Sequence, residues 1–211
     1  FVEEGAILEN CILNASEGPI YIAKNSKIMD GAILRGPIFI DEGSIVKMGA
    51  TIYGGTSIGK KCVVGGEIKN SIINNFSNKA HHGYLGDSII GKWCNLGAGT
   101  STSNVKNNGS DVMLQLANAE LNAGNKFGLL MGDYSRSAIN TSFNTGTVVG
   151  TCCNIFTEGL TPKYIPNFSW GCKGERYELP KAFTDIENWK IMKGETLSKE
   201  ERELLKNLYP N

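Results

Sequence analysis

An aliphatic residue recurs at every sixth position through the first third of the chain. The recurring set is Ile22, Ile28, Leu34, Ile40, Val46, Ile52, Ile58 and Val64. The fourth residue after each is mostly small or compact, as at Ser26, Ala32, Ser44, Ala50, Thr56 and Cys62. A period of six fits neither a helix nor a flat alternating strand. It predicts a triangular coil of three short faces per turn. Each face points one aliphatic residue inward, and Gly or Asn relieves corners where φ is positive.

The same rhythm predicts where the coil continues and where it is interrupted. After a slip of two residues it resumes at Ile72, Tyr84, Ile90 and Leu96, and it returns at Met131, Phe143, Val149 and Ile155. A β-sandwich of short strands would not keep a strict period of six over so many steps. Residues 105–124 are mostly polar and break the pattern. We expect an inserted loop on one face of the solenoid, a place that often carries function, with a surface excursion of no function as the alternative.

The C-terminal part of the chain loses the period of six. TPKYIPNFSW at 161–170 predicts a cap over the last coil. ELPKAFTDIENWKIMKG predicts a helix that starts near Pro180, and SKEERELLKNL predicts a second, with Ser198 as N-cap and Glu201 completing a capping box. These charged helices are typical of solvated surface or of packing against a partner chain. The predicted fold is all-β, a parallel β-helix of hexapeptide repeats over 1–175, with the loop 105–124 inserted and a short α-helical tail at 176–211.

Charge, hydropathy and cysteine spacing argue against nucleic-acid-binding, membrane-spanning and metal-binding functions. Lys and Arg number 21, as do Asp and Glu, so the net charge is zero, which argues against a nucleic-acid or membrane surface. No apolar run approaches the roughly 18 residues that span a bilayer. The six cysteines include no CxxC pair, so we predict no metal site. Cys62, Cys94 and Cys153 fall at small-residue positions, where we expect reduced core thiols, as in a cytoplasmic protein. The chain begins at Phe1, and we expect it to be part of a longer protein.

Both histidines of the chain, His81 and His82, lie side by side at the edge of a glycine-punctuated run. Histidine suits a general base because its unperturbed pKa is near neutrality, and a positioned base contributes roughly 10²–10⁴-fold in rate. The alternative is a hydrogen-bonded turn histidine. A γ-type carbonic anhydrase would need three zinc-binding histidines gathered across an interface, which two adjacent ones do not supply. Nucleotidyl transfer is not predicted for these residues, because they contain no Gly-rich phosphate loop of the GGxGTR type.

Residues 67–104 contain a spaced motif, made of Glu67, Lys69, His81, Tyr84, Leu85, Gly86, Asp87, Asn95, Gly97, Ala98, Gly99, Thr100 and Asn104. This motif resembles the C-terminal acetyltransferase domain of the bifunctional glucosamine-1-phosphate acetyltransferase and N-acetylglucosamine-1-phosphate uridylyltransferase family. The similarity continues at Asn125-Lys126-Phe127 and Met131-Gly132-Asp133. FNTGTVVG and IPNFSW make the chain still more similar to a bacterial branch of GlmU-like sugar nucleotidyltransferases, or glucose-1-phosphate thymidylyltransferases.

The resemblance implies a left-handed β-helix, a homotrimer with sites in the grooves between chains, and a nucleotidyltransferase domain that precedes Phe1. It also implies that acetyl-CoA, or another acyl-CoA, is the acyl donor and an amino-sugar phosphate the acceptor. The implied roles are His81 as general base with Glu67 orienting it, Lys69, Tyr84 and Asn95 as substrate ligands, and Ala98, Asn104 and Lys126 as residues that line the acyl-CoA. From the residues alone, Glu67 and Lys69 could equally form an ordinary surface ion pair.

The sequence departs from the family pattern at three places. Ile139 replaces a serine that touches the acetyl group in the family. The family's arginine one coil before the lysine has no counterpart, since Arg35 and Lys47 lie at the wrong spacing. The loop before Lys126 is longer. The resemblance leads us to expect an acyl-CoA-dependent transferase. The three departures favour the alternative, a non-catalytic β-helix that trimerises or regulates a nucleotidyltransferase.

Overall fold

The hexapeptide pattern folds into a parallel β-solenoid of about nine turns with three walls, as predicted. The computed structural model describes residues 1–210. In each turn the chain visits the first, second and third wall in order. The first wall contains Ile7–Leu8, Lys27–Ile28, Ile45–Val46, Val63–Val64, Asn78–Lys79, Asn95–Leu96, Arg136–Ser137, Asn154–Ile155, Ser169–Trp170 and Glu175–Arg176. The second contains Ile12–Asn14, Ile33–Arg35, Thr51–Ile52, Glu67–Lys69 and Tyr84–Gly86, and the pair Ser101–Thr102 and Ser142–Phe143 continues it. The third contains Ile20–Ile22, Ile38–Ile40, Thr56–Ile58, Ile72–Ile73, Ile89–Ile90, Leu129–Met131, Thr147–Val149 and Tyr164–Ile165.

The core is the column of inward-facing aliphatic residues, and all eight positions of the first run are buried there. The turn after Val64 is shorter than the others, since Val63 pairs with Asn78. Its inward residues are Ile68 and Ile73, and the next turn continues inward with Lys79, Leu85 and Ile90. The predictions that Ile72 and Tyr84 point inward are therefore wrong. The slip is spread over three short steps, from Val64 to Ile68, from Ile68 to Ile73 and from Leu85 to Ile90, instead of falling at a single point, so Ile72 and Tyr84 lie on the outer face. The remaining resumed positions are buried as predicted: Ile90, Leu96, Met131, Phe143, Val149 and Ile155.

Three cysteines occupy the small-residue positions of the core, as predicted. Cys62, Cys94 and Cys153 are almost wholly buried and are free thiols. Burial raises the pKa of their thiols, to about 11, 12 and 11 respectively. The Cys94 thiol donates to the carbonyl oxygen of Gly132 at 3.2 Å. They therefore act as small apolar groups that fill the coil.

One corner of the solenoid departs from the expected Gly or Asn. Its left-handed positions are instead occupied by Lys61, Phe76, Trp93, Tyr134, Cys152 and Phe168, with φ between 53° and 65°. A left-handed conformation costs a side-chain-bearing residue roughly 1–2 kcal/mol. The cost is offset because Trp93, Tyr134, Cys152 and Phe168 form a second apolar cluster with the tail, whose members include Tyr177, Phe183, Ile186 and Leu205.

The helical tail forms as predicted. Helix α1 spans Leu179–Met192 and helix α2 spans Lys199–Asn207. The Ser198 hydroxyl accepts from the Glu201 amide, and the Glu201 carboxylate accepts from the Ser198 amide, which confirms the capping box. Neither helix combines the length and the apolar character that a membrane crossing requires.

The inserted segment is more ordered than the predicted loop. Strands Met113–Leu116 and Ala119–Asn122 pair as an antiparallel hairpin. Val112 and Leu114 are buried and pack against Val148 of the third wall. The few apolar residues of this polar segment therefore anchor it to the solenoid.

Candidate functional site

The outer face of the second wall gathers three of the predicted site residues. Successive side chains of a strand point to opposite sides, and Ile68 and Leu85 point inward. Glu67, Lys69 and Tyr84 therefore point outward. Glu67 and Tyr84 are register partners on adjacent strands, which places their backbones about 4.8 Å apart. We call these three residues the second-wall patch.

A chain of hydrogen bonds joins this patch to the next corner. The Asn104 side-chain amide donates to the Tyr84 hydroxyl at 3.1 Å and to Oδ2 of Asp87 at 2.5 Å. The Asn70 amide donates to Oδ1 of the same carboxylate at 2.6 Å. Because the Asn104 nitrogen is used twice, its Oδ1 is the atom left to accept from a ligand. Burial, followed by the charge of Asp87, raises the pKa of Tyr84, so the phenol stays neutral and can donate its proton.

Gly86 sets the position of the Tyr84 ring. A Cβ at Gly86 would lie 2.2 Å from the Tyr84 hydroxyl oxygen and 2.5 Å from Cζ. The ring therefore lies over the backbone of its own strand, at a place where no side chain intervenes. This arrangement brings the hydroxyl to Asn104 and explains physically why glycine follows Tyr84 by two residues.

His81 and His82 form the corner that leads into the second wall. Both side chains are exposed. The His82 carbonyl accepts from the Gly99 amide at 3.2 Å, which places Ala98 on the same corner one turn away. Within residues 1–210 no hydrogen bond joins the Glu67 carboxylate to the His81 ring, so orientation of His81 by Glu67 stays a prediction. The corner presents an imidazole to solvent beside the second-wall patch.

A buried lysine, which the hexapeptide pattern did not predict, holds this corner from inside. Lys79 occupies an inward position of the first wall and is 2% exposed. Its ammonium donates to the carbonyl oxygens of His81 at 2.5 Å and Gly65 at 3.2 Å. It forms no ion pair within the described residues, and burial lowers its pKa to about 8. The signal was available, because Lys79 follows the true inward residue Ile73 by six positions.

Asn95 lies apart from the second-wall patch. It is on the outer face of the first wall, between its register neighbours Asn78 and Arg136. The tail reaches both neighbours: Lys193 donates to Oδ1 of Asn78 at 2.9 Å, and Trp189 stacks 5.2 Å from the Arg136 guanidinium. A single chain therefore does not bring Asn95 together with Lys69 and Tyr84.

Lys126 and Ile139 flank the site on opposite sides. The amide of Phe127 donates to the Asn104 carbonyl at 3.0 Å, which brings the exposed Lys126 next to Asn104. Ile139 is 69% exposed on the corner shared by His82 and Ala98. Of the residues predicted to line an acyl-CoA, Ala98 therefore lies at the histidine corner, while Asn104 and Lys126 lie at the far edge of the second wall.

No family model matches the chain. Among curated proteins it is similar to several named bifunctional protein GlmU. The Methanococcus aeolicus protein is 38% identical over 85 residues, covering 40% of this chain and 21% of the relative. The Methanocaldococcus jannaschii protein is 35% identical over 99 residues, covering 47% and 24%. The Synechococcus elongatus protein is 28% identical over 160 residues, covering 73% and 32%. The chain thus spans less than a third of the length of these relatives.

Among solved structures, the chain is similar to the Arabidopsis UDP-N-acetylglucosamine acyltransferase, with 15% identity, a TM-score of 0.37, and coverage of 99% of this chain and 92% of that one. A likeness this low does not bear on function. The predicted resemblance to a GlmU-like left-handed β-helix domain is confirmed by the curated relatives. The narrower similarity to the thymidylyltransferase branch stays a prediction.

Proposed function

We propose that this chain is an acyltransferase domain that moves an acyl group from acetyl-CoA, or another acyl-CoA, to the amine of an amino-sugar phosphate. The proposal includes a nucleotidyltransferase domain elsewhere in the same protein and a cytoplasmic location. The observation that carries it is the adjacency of the His81 corner and the second-wall patch, since it gathers a base, a phenol and a lysine on one outer surface. The names of the similar curated proteins support the same assignment.

Each residue would contribute a separate task. The His81 imidazole would take the proton of the attacking amine, which is the step that a base near neutral pKa performs well. Lys69 would bind the sugar phosphate as a point charge. The Tyr84 hydroxyl, held by Asn104, would donate to an acceptor oxygen of the sugar. Glu67, beside Tyr84, would contact the substrate or the His81 ring.

The corner next to His81 fits an acyl-CoA. Gly97, Ala98 and Gly99 offer no side chain larger than a methyl group, so an extended ligand can approach the backbone closely. Asn104 presents an unused amide oxygen at the far edge of the wall. The bound thioester would supply the activated acyl group. Lys126, exposed and close to Asn104, would meet phosphate oxygens of the same ligand.

A homotrimer is part of the proposal, because one chain leaves the site open to water. The His81 ring is exposed. Exposed aliphatic residues continue across the second and third walls, at Ile33, Ile72 and Ile89. A second copy against these walls would close a groove, and an Asn95 from a neighbouring chain could then reach the patch.

A non-catalytic scaffold is the second candidate. Ile139 places an apolar side chain at the histidine corner, where the family resemblance implies a serine, and the helical tail lies beside Asn95. Both observations favour a β-helix that retains the fold of the family but has no catalytic activity. The two candidates differ in one measurable quantity, the transfer of an acyl group.

The test incubates the purified protein with acetyl-CoA and a panel of hexosamine phosphates and detects acylated products by mass spectrometry. Matched hexose phosphates, which carry a hydroxyl in place of the amine, serve as acceptor controls. We expect one amino-sugar phosphate to gain an acyl group while its hydroxyl analogue does not. No product with any amine acceptor would favour the scaffold. A product with the hydroxyl analogue alone would contradict the proposed acceptor class.

A further inference from the structure

A cavity of about 470 Å³ opens where the inserted segment leaves the second wall. It lies outside the second-wall patch and none of the roles above uses it. Its lining has one lysine and several amide and hydroxyl groups, with no carboxylate among the described residues. The lining residues that matter here are Ser103, Lys106, Asn108, Asn144, Thr145 and Leu160.

Lys106 lines this cavity, and Lys163 contacts its lining residue Thr145. The Lys106 ammonium donates to the backbone carbonyl of Asp111, and the Lys163 ammonium donates to that of Thr145. Neither forms an ion pair within residues 1–210. Burial and then the charge of Lys106 lower the pKa of Lys163. The described side chains that line the cavity include one cation and no anion.

Two asparagine side chains add hydrogen-bond donors. Oδ1 of Asn144 accepts from the Thr145 amide at 2.9 Å, and Oδ1 of Asn108 accepts from the Ser110 amide at 3.1 Å. These bonds fix each amide with its oxygen toward the backbone. Neither Nδ2 makes a hydrogen bond within the described part of the chain, so both remain as donors. The hydroxyls of Ser103 and Thr145 complete the lining, 2.5 Å apart.

We propose that this cavity is a binding site for a phosphate-class oxyanion. Phosphate offers several acceptor oxygens and a negative charge, which matches ammonium groups and amide donors with few competing acceptors. The inference rests on the cavity and holds whether or not acyl transfer occurs. Ser103 directly precedes Asn104, and Ser101 and Ser142 are register partners. The cavity thus lies on the Tyr84 side of the solenoid, about 10 Å further along its axis at the usual strand spacing.

Isothermal titration calorimetry with pyrophosphate and inorganic phosphate tests the site. We expect the wild-type protein to bind pyrophosphate and Lys106→Ala to weaken binding about tenfold, the effect of one charge-assisted hydrogen bond. Lys92→Ala, an exposed lysine remote from the cavity in the fold, is the matched control and should bind as the wild type does. Lys163→Met should also weaken binding, with circular dichroism confirming its fold. No binding by the wild type, or equal binding by Lys106→Ala and wild type, would overturn the proposal.

Further titrations identify the source of the phosphate. Coenzyme A, its 3′-dephospho form and a hexosamine 1-phosphate are each titrated into wild type and Lys106→Ala. A loss of affinity for coenzyme A alone would assign the cavity to the acyl donor. A loss for the hexosamine phosphate alone would assign it to the acceptor. No change for any of these ligands would contradict a role in ligand binding. These titrations measure binding alone, so their results can be interpreted even if the protein transfers no acyl group.

Discussion

Replacing the buried Lys79 by methionine should change how stability depends on pH. Burial lowers the pKa of Lys79 from 10.5 to about 8. At 1.36 kcal/mol per pKa unit, the folded protein bears a cost of about 3 kcal/mol for keeping the ammonium charged. Below about pH 8 the lysine is charged in both the folded and unfolded states, and the full cost is present. Between about pH 8 and 10.5 the folded state releases its proton first, so wild-type stability rises with pH.

Urea denaturation of wild type and Lys79→Met at pH 7, 8, 9 and 10 measures this effect, at one protein concentration. The tyrosines and cysteines titrate in both proteins, so their contributions cancel when the free energy of unfolding of one protein is subtracted from that of the other. We expect the stability of Lys79→Met relative to wild type to fall by about 2.5 kcal/mol between pH 7 and pH 10. The lost bonds to the carbonyls of Gly65 and His81 add an offset of about 1 kcal/mol each. That offset does not vary with pH.

A difference that stays constant from pH 7 to pH 10 would refute this reasoning, because it would mean that Lys79 titrates alike in the folded and unfolded states. The same variant reports on function. The ammonium fixes the His81 carbonyl at 2.5 Å, so we expect Lys79→Met to slow acyl transfer even where it is the more stable protein. Such a pairing of higher stability with lower activity is what a positioning residue should give.

Three further predictions concern separate parts of the molecule. Gly86→Ala places a Cβ 2.2 Å from the Tyr84 hydroxyl oxygen and should lower kcat/KM for acyl transfer roughly 10²-fold. A matching loss in Tyr84→Phe would agree, and an unchanged rate would contradict a role for the phenol. Ser198→Ala removes the α2 capping box and should lower the free energy of unfolding in urea by about 1 kcal/mol with transfer unaffected. Cys62, Cys94 and Cys153, whose pKa burial raises, should resist a thiol reagent at pH 8 until the protein is denatured, and rapid labelling of all three would contradict their placement in the core.

The period of six made the solenoid predictable because each inward position has one physical requirement, an apolar side chain of limited size. The same rule located the core cysteines and the break before the inserted segment. It failed at Ile72 and Tyr84, since a shortened turn leaves the local composition unchanged and only shifts which residue faces inward. To predict which residues face inward here, one must know that Val63 pairs with Asn78. The local sequence pattern does not determine this pairing between turns.

The candidate site was predictable in part for similar reasons. Glu67 and Lys69 share a face because successive side chains of a strand alternate. Tyr84, predicted to point inward, joins them on the outer face because Leu85 takes the inward position. The location of Asn95 beside the tail depends on helix α1 docking through Lys193, a contact between residues far apart in sequence. Lys79 was not predicted because the phase set by Ile72 puts position 78 on the inner face, one residue before it. The phosphate-class cavity joins residues from three separate turns and has no sequence motif.

The central claim is that the His81 ring takes the proton of an attacking amine, and one comparison tests it most directly. Acyl transfer to the preferred amino-sugar phosphate is measured for wild type, His81→Ala and His82→Ala under identical conditions. We expect the transfer rate to fall roughly 10²–10⁴-fold in His81→Ala and to stay near normal in His82→Ala. Full activity in His81→Ala, or an equal loss in both variants, would contradict it.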